Sequence, residues 1–257
     1  MASPIKSTIF HKLPRIKWYM DVLDAFIFAQ TAEAHKEMKA KGAVAEIGVF
    51  FGRSLFLLRK IYGTDKLLGM DLFDIPADGR NLAQLDQILA YSEQYDFGVT
   101  RDMLLQADST ELTPETILDA IGPVKFFSVD GGHLLHHVAC DSSLADTVLT
   151  DEGVIAFDDS FNPEWPEVTA GVIDFLRSHP DYATFCISDK KLYVCRAEHH
   201  AHFKAHMAGL ARAFGHADRE FLDHEALVLR HSLPKKAAAR LLARTGLGGL
   251  SAGLYNA

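Results

Sequence analysis

The chain has 257 residues, of which 48% are hydrophobic and 23% are charged. This balance is ordinary for a globular protein and excludes a mainly disordered chain, and the length favours one large α/β domain with appendages. A formal net charge of -8 argues against broad electrostatic attraction to nucleic acid or to an anionic membrane, so we expect a small-molecule partner. A homo-oligomer is compatible with these properties.

The cysteine pattern and the hydropathy indicate a reducing compartment. The three cysteines, Cys140, Cys186 and Cys195, lie in apolar surroundings without a CxxC pair, so neither a disulfide framework nor a zinc cluster is indicated. The N-terminal sequence has no apolar stretch before a small-residue cleavage site, and nowhere are there about 18 consecutive apolar residues. We therefore expect a cytoplasmic protein.

Helical and strand patterns alternate along most of the chain. A long helix is predicted at 18–41, and shorter helices at 54–62, 114–121 and 136–149. The predicted strands between them are AVAEIGV (43–49), KLLGMDLF (66–73), MLLQADS (103–109), VKFFSVDGG (124–132) and GVIAFDD (153–159). This alternation predicts an α/β fold with a doubly wound, Rossmann-like, mainly parallel sheet.

Two further short strands are predicted near the end of this pattern, after a helix at 168–179. YATFCIS (182–188) and KLYVCR (191–196) are so close in sequence that they must form an antiparallel hairpin. The prediction is therefore a seven-stranded sheet with a final antiparallel strand. We expect an N-terminal helical segment at 1–41, a catalytic domain at 42–198, and a helical extension with a flexible Gly-rich tail at 199–257.

Acidic residues lie within or at the ends of the predicted strands. They are Glu46, Asp71, Asp108, Asp130, Asp158 and Asp159. Open α/β sheets bind ligands at the carboxyl ends of their strands, and an unpaired carboxylate is costly to remove from water. We therefore expect a ligand that interacts with these groups.

The first strand is followed by EIGVFFGRS, in which Gly48 and Gly52 flank a turn that allows close backbone approach to a ligand. The fingerprint GxGxxG and the P-loop are absent, and a purely structural glycine pair is the alternative. Asp71 ends the next strand, where a carboxylate accepts hydrogen bonds from the ribose of an adenosine ligand, or else caps a helix or loop. Asp108 with Ser109 lies where adenine would bind, or else starts a turn.

Three carboxylates, of Asp130, Asp158 and Asp159, should converge at neighbouring strand ends. Close pairs repel by roughly 4 kcal/mol at about 4 Å with an effective dielectric of about 20, and a hard divalent cation such as Mg²⁺ would remove that penalty. The alternative is that the pair of aspartates caps a turn without metal. His133 follows Asp130 closely and is the candidate general base, unless it faces solvent at a helix start. His136, within the predicted helix, is expected to be an ordinary surface residue.

Three motifs carry a resemblance to a known family: EIGVFFGRS (46–54), VDGGH (129–133), and IAFDD (155–159) followed by NPEWP (162–166). On these motifs the chain resembles the class I methyltransferases, and among them the metal-dependent sugar O-methyltransferases of the macrocin and mycinamicin type. The catechol O-methyltransferases are more distantly similar. The resemblance covers about 43–196, and a parallel sheet finished by one antiparallel strand is typical of that fold.

The resemblance implies that S-adenosylmethionine is the methyl donor and that Mg²⁺ or another hard divalent cation assists. The implied donor-binding residues are Glu46, Gly48, Gly52, Ser54, Asp71, Asp108, Ser109 and Asp130. The implied metal ligands are Asp130, Asp158 and Asp159, and His133 is the implied base. The expected acceptor is a hydroxyl of a sugar or glycosylated metabolite. The alternatives are a phenolic acceptor, a metal-independent methyltransferase, and a nonenzymatic binder of an adenosine ligand.

Three other features carry open alternatives. Trp165 is predicted to form a flat wall against a ring-bearing acceptor or to anchor its loop. The long connection at 75–100 is a candidate lid. The basic amphipathic segment at 235–244 is expected to be a solvated helix rather than a membrane or partner contact.

Overall fold

The computed structural model describes residues 3–17, 20–63, 65–74 and 83–232, together with the isolated positions 238, 253 and 254. The candidate lid is therefore described only from residue 83 onward. Apart from those isolated positions, the predicted basic helix at 235–244 and the Gly-rich tail lie outside the described residues. No helix in the described ranges is both long and apolar enough to cross a membrane.

The helices agree closely with the periodic segments of the sequence. Within the described residues the α-helices are α1 (Ser3–Ser7), α2 (Val22–Met38), α3 (Arg53–Tyr62), α4 (Gln84–Gln94), α5 (Pro114–Ile121), α6 (Leu135–Val148), α7 (Pro166–Ser178) and α8 (His200–Ala208). The predicted first long helix is thus confirmed with narrower bounds. Asp21 begins it, because its side chain accepts a hydrogen bond from the backbone N–H of Leu23 at 2.8 Å.

The strands form one mixed sheet. They are β1 (Ala43–Ile47), β2 (Leu67–Asp71), β3 (Leu104–Gln106), β4 (Val124–Val129), β5 (Leu149–Phe157), β6 (Tyr182–Ile187), β7 (Leu192–Arg196), β8 (Gly215–Phe221) and β9 (His224–Arg230). Their spatial order is β3-β2-β1-β4-β5-β7-β6-β9-β8. Strands β1 to β5 are parallel and β7 is antiparallel to both β5 and β6, so the predicted doubly wound sheet and its hairpin are confirmed.

The predicted count of seven strands is wrong, because the described sheet has nine. The segment after residue 199, expected to be helical, is helical in α8 and then adds β8 and β9. Strand β9 pairs in parallel with β6, and β8 pairs with β9. The hairpin turns at Leu222 and Asp223, with φ of 48° and 65°. Both are left-handed, as a type I′ turn requires, but the Asn-Gly or Asp-Gly signal that usually marks this turn is absent.

Two apolar cores lie on opposite faces of the sheet, which makes a three-layer α/β/α arrangement. One core packs side chains of α2, α3 and α8, including Phe28, Leu55 and Phe203, against the sheet. The other packs α5, α6 and α7, including Val138 and Val172. The carboxyl ends of β1, β2, β4 and β5 are left free of these layers at one edge, where the acidic residues of the sequence analysis lie.

Candidate active site

The turn after β1 lies directly against the end of β4. Gly48 has a φ of +84°, and a Cβ placed on it would come within 1.7 Å of the carbonyl oxygen of Asp130. Only glycine fits a left-handed position with so little space. The glycine turn and Asp130, predicted separately as donor-site residues, are therefore in direct contact.

Asp71 holds this turn in place. One oxygen of its carboxylate accepts the backbone N–H of Phe50 at 2.7 Å, and the other accepts the backbone N–H of Phe73 at 2.9 Å. Each oxygen keeps a second lone pair for a ligand. The side chain of Gln84 donates to the carbonyl of Phe50 at 2.7 Å, so the candidate lid contains a helix, α4, whose first residue also contacts the turn.

Glu46 is fully buried in β1 at the foot of the turn, and neither of its carboxylate oxygens makes a hydrogen bond of ordinary length and angle, although the hydroxyls of Ser54 and Ser128 lie nearby. Burial raises its pKa to about 8, against a lowering contribution from Ser54 in the first turn of α3. An orphaned buried carboxyl is costly, and native structures rarely retain one without a role. This arrangement fits a ligand that brings a cationic or hydrogen-bonding group to Glu46.

Asp108 and Ser109 are placed differently from the other predicted donor residues. Asp108 is exposed, and its Oδ1 accepts hydrogen bonds from the backbone N–H and the hydroxyl of Thr110 at 2.9 and 2.7 Å. It thereby begins the short turn Ser109–Glu111. The turn-starting alternative is thus observed, and the contact of Asp108 and Ser109 with adenine stays a prediction.

A buried acid on α6 was missed by the sequence reasoning. Asp141 is fully buried, its oxygens have no hydrogen-bond partner, and burial raises its pKa to about 6. A Cβ on Gly131 would lie 2.4 Å from its Oδ2, so the glycines of VDGGH make room for it. Its spacing from Val138 and Ala145 places it on the core face of the helix, which is the signal that could have found it.

Asp130, His133 and Asp159 converge at the ends of β4 and β5. One ligand atom from each of these residues lies within 4.8 Å of the others. Nε2 of His133 is 3.2 Å from Oδ2 of Asp159, and the amide of Asn162 donates to the other oxygen of Asp159 at 2.8 Å. Two carboxylates and one imidazole are chemically suited to a divalent cation, and the same contact is suited to orienting a basic imidazole.

Asp158 is engaged with a different partner. The ammonium of Lys191, a side chain only 7% exposed, forms an ion pair with Oδ2 of Asp158. Burial opposes the charge on this lysine, but the carboxylates of Asp158, Asp130 and Asp24 together raise its pKa. The sequence reasoning missed Lys191, because a lysine beside a hairpin turn is expected to be solvated.

The charged groups of this cluster strongly affect one another's pKa. Burial, followed by the neighbouring carboxylate of Asp158, raises the pKa of Asp130 well above its usual range. Burial acts in the same direction on Asp158, but the Lys191 ammonium and the hydrogen bonds to Asp158, including one with Asp130, together outweigh it and hold the pKa of Asp158 below its ordinary value. Within the cluster, the protonated form is therefore favoured at Asp130 and the ionised form at Asp158, beside the cationic lysine.

An aromatic ring packs on the candidate base. The ring of Trp165 stacks on the ring of His133, with centroids 4.3 Å apart and an interplanar angle of 21°. Leu134, Leu135 and Phe161, which are close to these two residues in sequence, are also exposed. Trp165 thus fixes the plane of the His133 ring with one face, while the residue stays 40% exposed.

Comparisons with known proteins agree with this fold. Residues 45–160 match the model of a family described as a methyltransferase domain. The structure is similar to that of the O-methyltransferase NovP, with 14% identity and a TM-score of 0.50 over 68% of this chain and 80% of that chain. It is also similar to CalS11, a TDP-rhamnose 3'-O-methyltransferase in calicheamicin biosynthesis, with 18% identity and a TM-score of 0.51 over 76% and 94% of the two chains.

A third similar structure is the SAH-bound methyltransferase PaMTH1 of Podospora anserina, with 14% identity and a TM-score of 0.52 over 76% of this chain and 88% of that chain. At these identities the structural likeness shows the fold alone. No curated protein matches the sequence at a significant level.

The adjacent lysines of the β6–β7 turn provide a matched test of the charge cluster. Lys191→Met should lower the free energy of unfolding by about 3–5 kcal/mol, because it leaves buried Asp158 without its partner. Lys190 is 52% exposed and lies 3.6 Å from Asp159, so Lys190→Met should cost about 1 kcal/mol or less. Urea denaturation at neutral pH in chelator measures both.

The pairing should also depend on pH. Because the pKa of Asp158 is lowered in the folded chain, the pairing contributes stability above the ordinary carboxyl pKa of 3.8 and loses it as the pH falls further. The cost of Lys191→Met should therefore shrink in acid. Equal losses for the two lysine variants at neutral pH would contradict the assignment of Lys191 as the cation of this cluster.

Proposed function

We propose that this chain, in which residues 45–160 match a methyltransferase-domain family, is a class I methyltransferase that transfers the methyl group of S-adenosylmethionine to a hydroxyl oxygen of a small molecule. The observation that carries the proposal is the orphaned carboxyl of Glu46 at the foot of the glycine turn, at the same sheet edge as His133 and Asp159. A donor site and a candidate base thus adjoin each other.

The donor-binding role is proposed for the residues around the turn. The donor carries a cationic ammonium group, two ribose hydroxyls and an adenine. Glu46 is proposed to take the ammonium, because its buried carboxyl lies at the foot of the glycine turn and makes no hydrogen bond of ordinary geometry. Asp71 is proposed to accept from the ribose, since both of its oxygens retain a lone pair after binding backbone N–H groups. Gly48, Gly52 and Ser54 shape the turn, and Asp108, Ser109 and Asp130 complete the proposed set.

His133 is proposed as the general base. If its Nε2–H is donated to Asp159, its Nδ1 carries the lone pair that accepts the proton of the acceptor hydroxyl. Asp159 then acts as the orienting carboxylate, and Trp165 restricts rotation of the ring. Positioning supplies most of the rate, since near-attack geometry alone is worth roughly 7–11 kcal/mol.

A divalent cation is proposed to be held by Asp130, Asp158 and Asp159. When bound, it would supply a Lewis acid that lowers the pKa of the acceptor hydroxyl. Asp130 and Asp159 support this, because each offers a ligand atom to the same cluster. Asp158 offers less support, since the ion pair with Lys191 engages its Oδ2.

A metal-independent methyltransferase is the second candidate, and the buried Lys191 favours it. Its ammonium already provides a positive charge beside Asp158 and Asp130, the charge that a cation would otherwise supply. In this version His133 and Asp159 activate the hydroxyl alone.

The proposed acceptor is a sugar or a glycosylated metabolite, with a phenol as the runner-up. The exposed side chains of Leu134, Leu135, Phe161 and Trp165, which are close in sequence to His133 or to Asp159, support a ring-bearing acceptor, because the exposed faces of such side chains pack well against rings. The sugar is favoured by the resemblance of the motifs and by the sugar-nucleotide acceptor named for CalS11.

Turnover is tested by incubating the chain with labelled S-adenosylmethionine and a panel of sugar nucleotides, glycosides and phenols. We expect label to enter a glycosidic hydroxyl, to stop in excess chelator, and to return when Mg²⁺ is added. Full activity in chelator, with no metal found by elemental analysis, would contradict the metal-dependent mechanism and support the metal-independent one. If the chain bound the donor but transferred no methyl group to any acceptor in the panel, the proposal of an enzyme that acts on these substrates would be contradicted.

Proton release tests the role of Glu46. With a pKa of about 8, its carboxyl is mostly protonated at pH 7 in the free chain. A cationic donor group favours the carboxylate, so donor binding should release up to about one proton, and affinity should rise with pH until about pH 8. Calorimetry in two buffers of different ionisation enthalpy measures this release.

Glu46→Gln is the control, because glutamine keeps the shape of the side chain and lacks the carboxyl group that titrates. Ionisation of the donor itself is common to both proteins, so the difference between them isolates Glu46. Equal proton release from wild type and from Glu46→Gln would show that Glu46 does not contact the ammonium.

The base is tested by His133→Ala, which should bind the donor normally and lose about 10²- to 10⁴-fold in rate. His136→Ala is the matched control, since His136 is exposed on α6 near the same site. Single-turnover assays and calorimetry separate rate from binding. If both variants keep a rate within a few-fold of wild type while folded by circular dichroism, the base is not His133.

A further inference from the structure

A second cluster of ligand atoms lies between α2 and α8, outside the site described above. Glu37 lies in the last turn of α2, and His202 and His206 lie on α8. One ligand atom from each of these three residues lies within 4.8 Å of the others. Residues four apart on a helix share one face, so both imidazoles are directed toward α2 by the helix geometry.

The contacts of the cluster match those of a metal site. Nε2 of His206 is 3.1 Å from Oε2 of Glu37, close to the roughly 3.3 Å that separates neighbouring ligands around a tetrahedral zinc ion with about 2.0–2.1 Å bonds. Nε2 of His202 is 3.3 Å from the backbone carbonyl of Ala34. Donation of Nε2–H to a carbonyl leaves Nδ1 as the nitrogen with a free lone pair, a common arrangement for metal-binding histidines.

The position suits a cation electrostatically. The carbonyls at the C-terminal end of α2 carry the negative end of the helix dipole, which favours positive charge near Glu37. The two histidine side chains are partly covered by the packed helices, and the side chain of His206 is only 15% exposed. The Glu37 side chain is 65% exposed and can adjust its position at little cost.

We propose that Glu37, His202 and His206 form a binding site for a borderline divalent ion of the zinc, cobalt or nickel class. Two imidazoles and one carboxylate select such ions over Mg²⁺, which prefers oxygen ligands. The three protein ligands leave one position of a tetrahedral ion for water. The site is separate from the acidic cluster at the carboxyl edge, because neighbouring His35 bonds the carbonyl of Glu152 near the amino-terminal part of β5.

The site would link two helices, α2 and α8, that lie far apart in the sequence. α2 precedes β1, whereas α8 precedes the β8–β9 hairpin that extends the sheet. A bound ion would cross-link the two helices through side chains that are not otherwise covalently connected. Since an ion that binds only the folded chain stabilises it by mass action, metal uptake should raise the melting temperature.

The test uses the full chain without a polyhistidine tag, stripped with chelator and dialysed into buffer with millimolar Mg²⁺ to occupy oxygen-rich sites. Zn²⁺ is titrated by calorimetry, and Co²⁺ by its visible absorption, which reports coordination geometry. We expect one equivalent to bind, with absorption typical of tetrahedral cobalt and a rise in melting temperature.

His206→Ala and Glu37→Gln should each weaken binding about tenfold or more, because loss of even an outer-shell partner typically costs 10–100-fold. Glu37 is exposed, so its variant is expected to fold even if the histidine variant does not. His216→Ala is the matched control, since it removes an exposed imidazole on β8 and should bind as wild type does. The proposal would be overturned if the wild type bound no Zn²⁺. It would also be overturned if the wild type and Glu37→Gln bound Zn²⁺ with equal affinity.

Discussion

The ion pair between Lys191 and Asp158 is the interaction on which the arrangement of the candidate active site depends. Parallel strands necessarily bring their following residues to one edge, so Asp130 and Asp158 meet there. Phe157 of β5 pairs with Leu192 of antiparallel β7, so the residue before β7 lies beside the residue after β5. That register places a lysine against the carboxylates, and its charge offsets the repulsion that the fold itself creates.

The donor half of the site is built by a different constraint, which is the close approach of the first turn to β4. Gly48 leaves no room for a side chain next to Asp130, and Asp71 of β2 accepts the backbone N–H of Phe50, two residues further along the turn. Three neighbouring strands therefore fix one short loop. Glu46 is buried beneath that loop, and its carboxylate oxygens make no hydrogen bond of ordinary geometry. Proteins retain such an unfavourable burial where a bound ligand compensates for it.

Much of this arrangement could be predicted from the sequence, because strand-helix alternation and strand-end acids are local patterns. The parallel strands, the β6–β7 hairpin and the position of His133 near the ends of β4 and β5 follow from such patterns, whereas its contact with Asp159 is known from the structure. Lys191 could not be predicted, since its contact with Asp158 depends on the register of an antiparallel pair 33 residues apart in sequence. β8 and β9 were missed because Leu222 and Asp223 do not resemble the residues that usually form a type I′ turn.

The two versions of the proposed mechanism make opposing demands on Asp159. Its oxygens accept from Asn162 at 2.8 Å and face His133 at 3.2 Å, with Lys190 at 3.6 Å. A cation that takes the oxygen facing His133 displaces the contact that orients the imidazole, so metal binding and the histidine–aspartate pair compete for one atom. Asp158 would relieve this competition by supplying a ligand oxygen, but only to the extent that Lys191 leaves one available. In the proposed mechanism, the strength of the Lys191–Asp158 pair would therefore set the balance between metal-assisted and histidine-assisted activation of the acceptor.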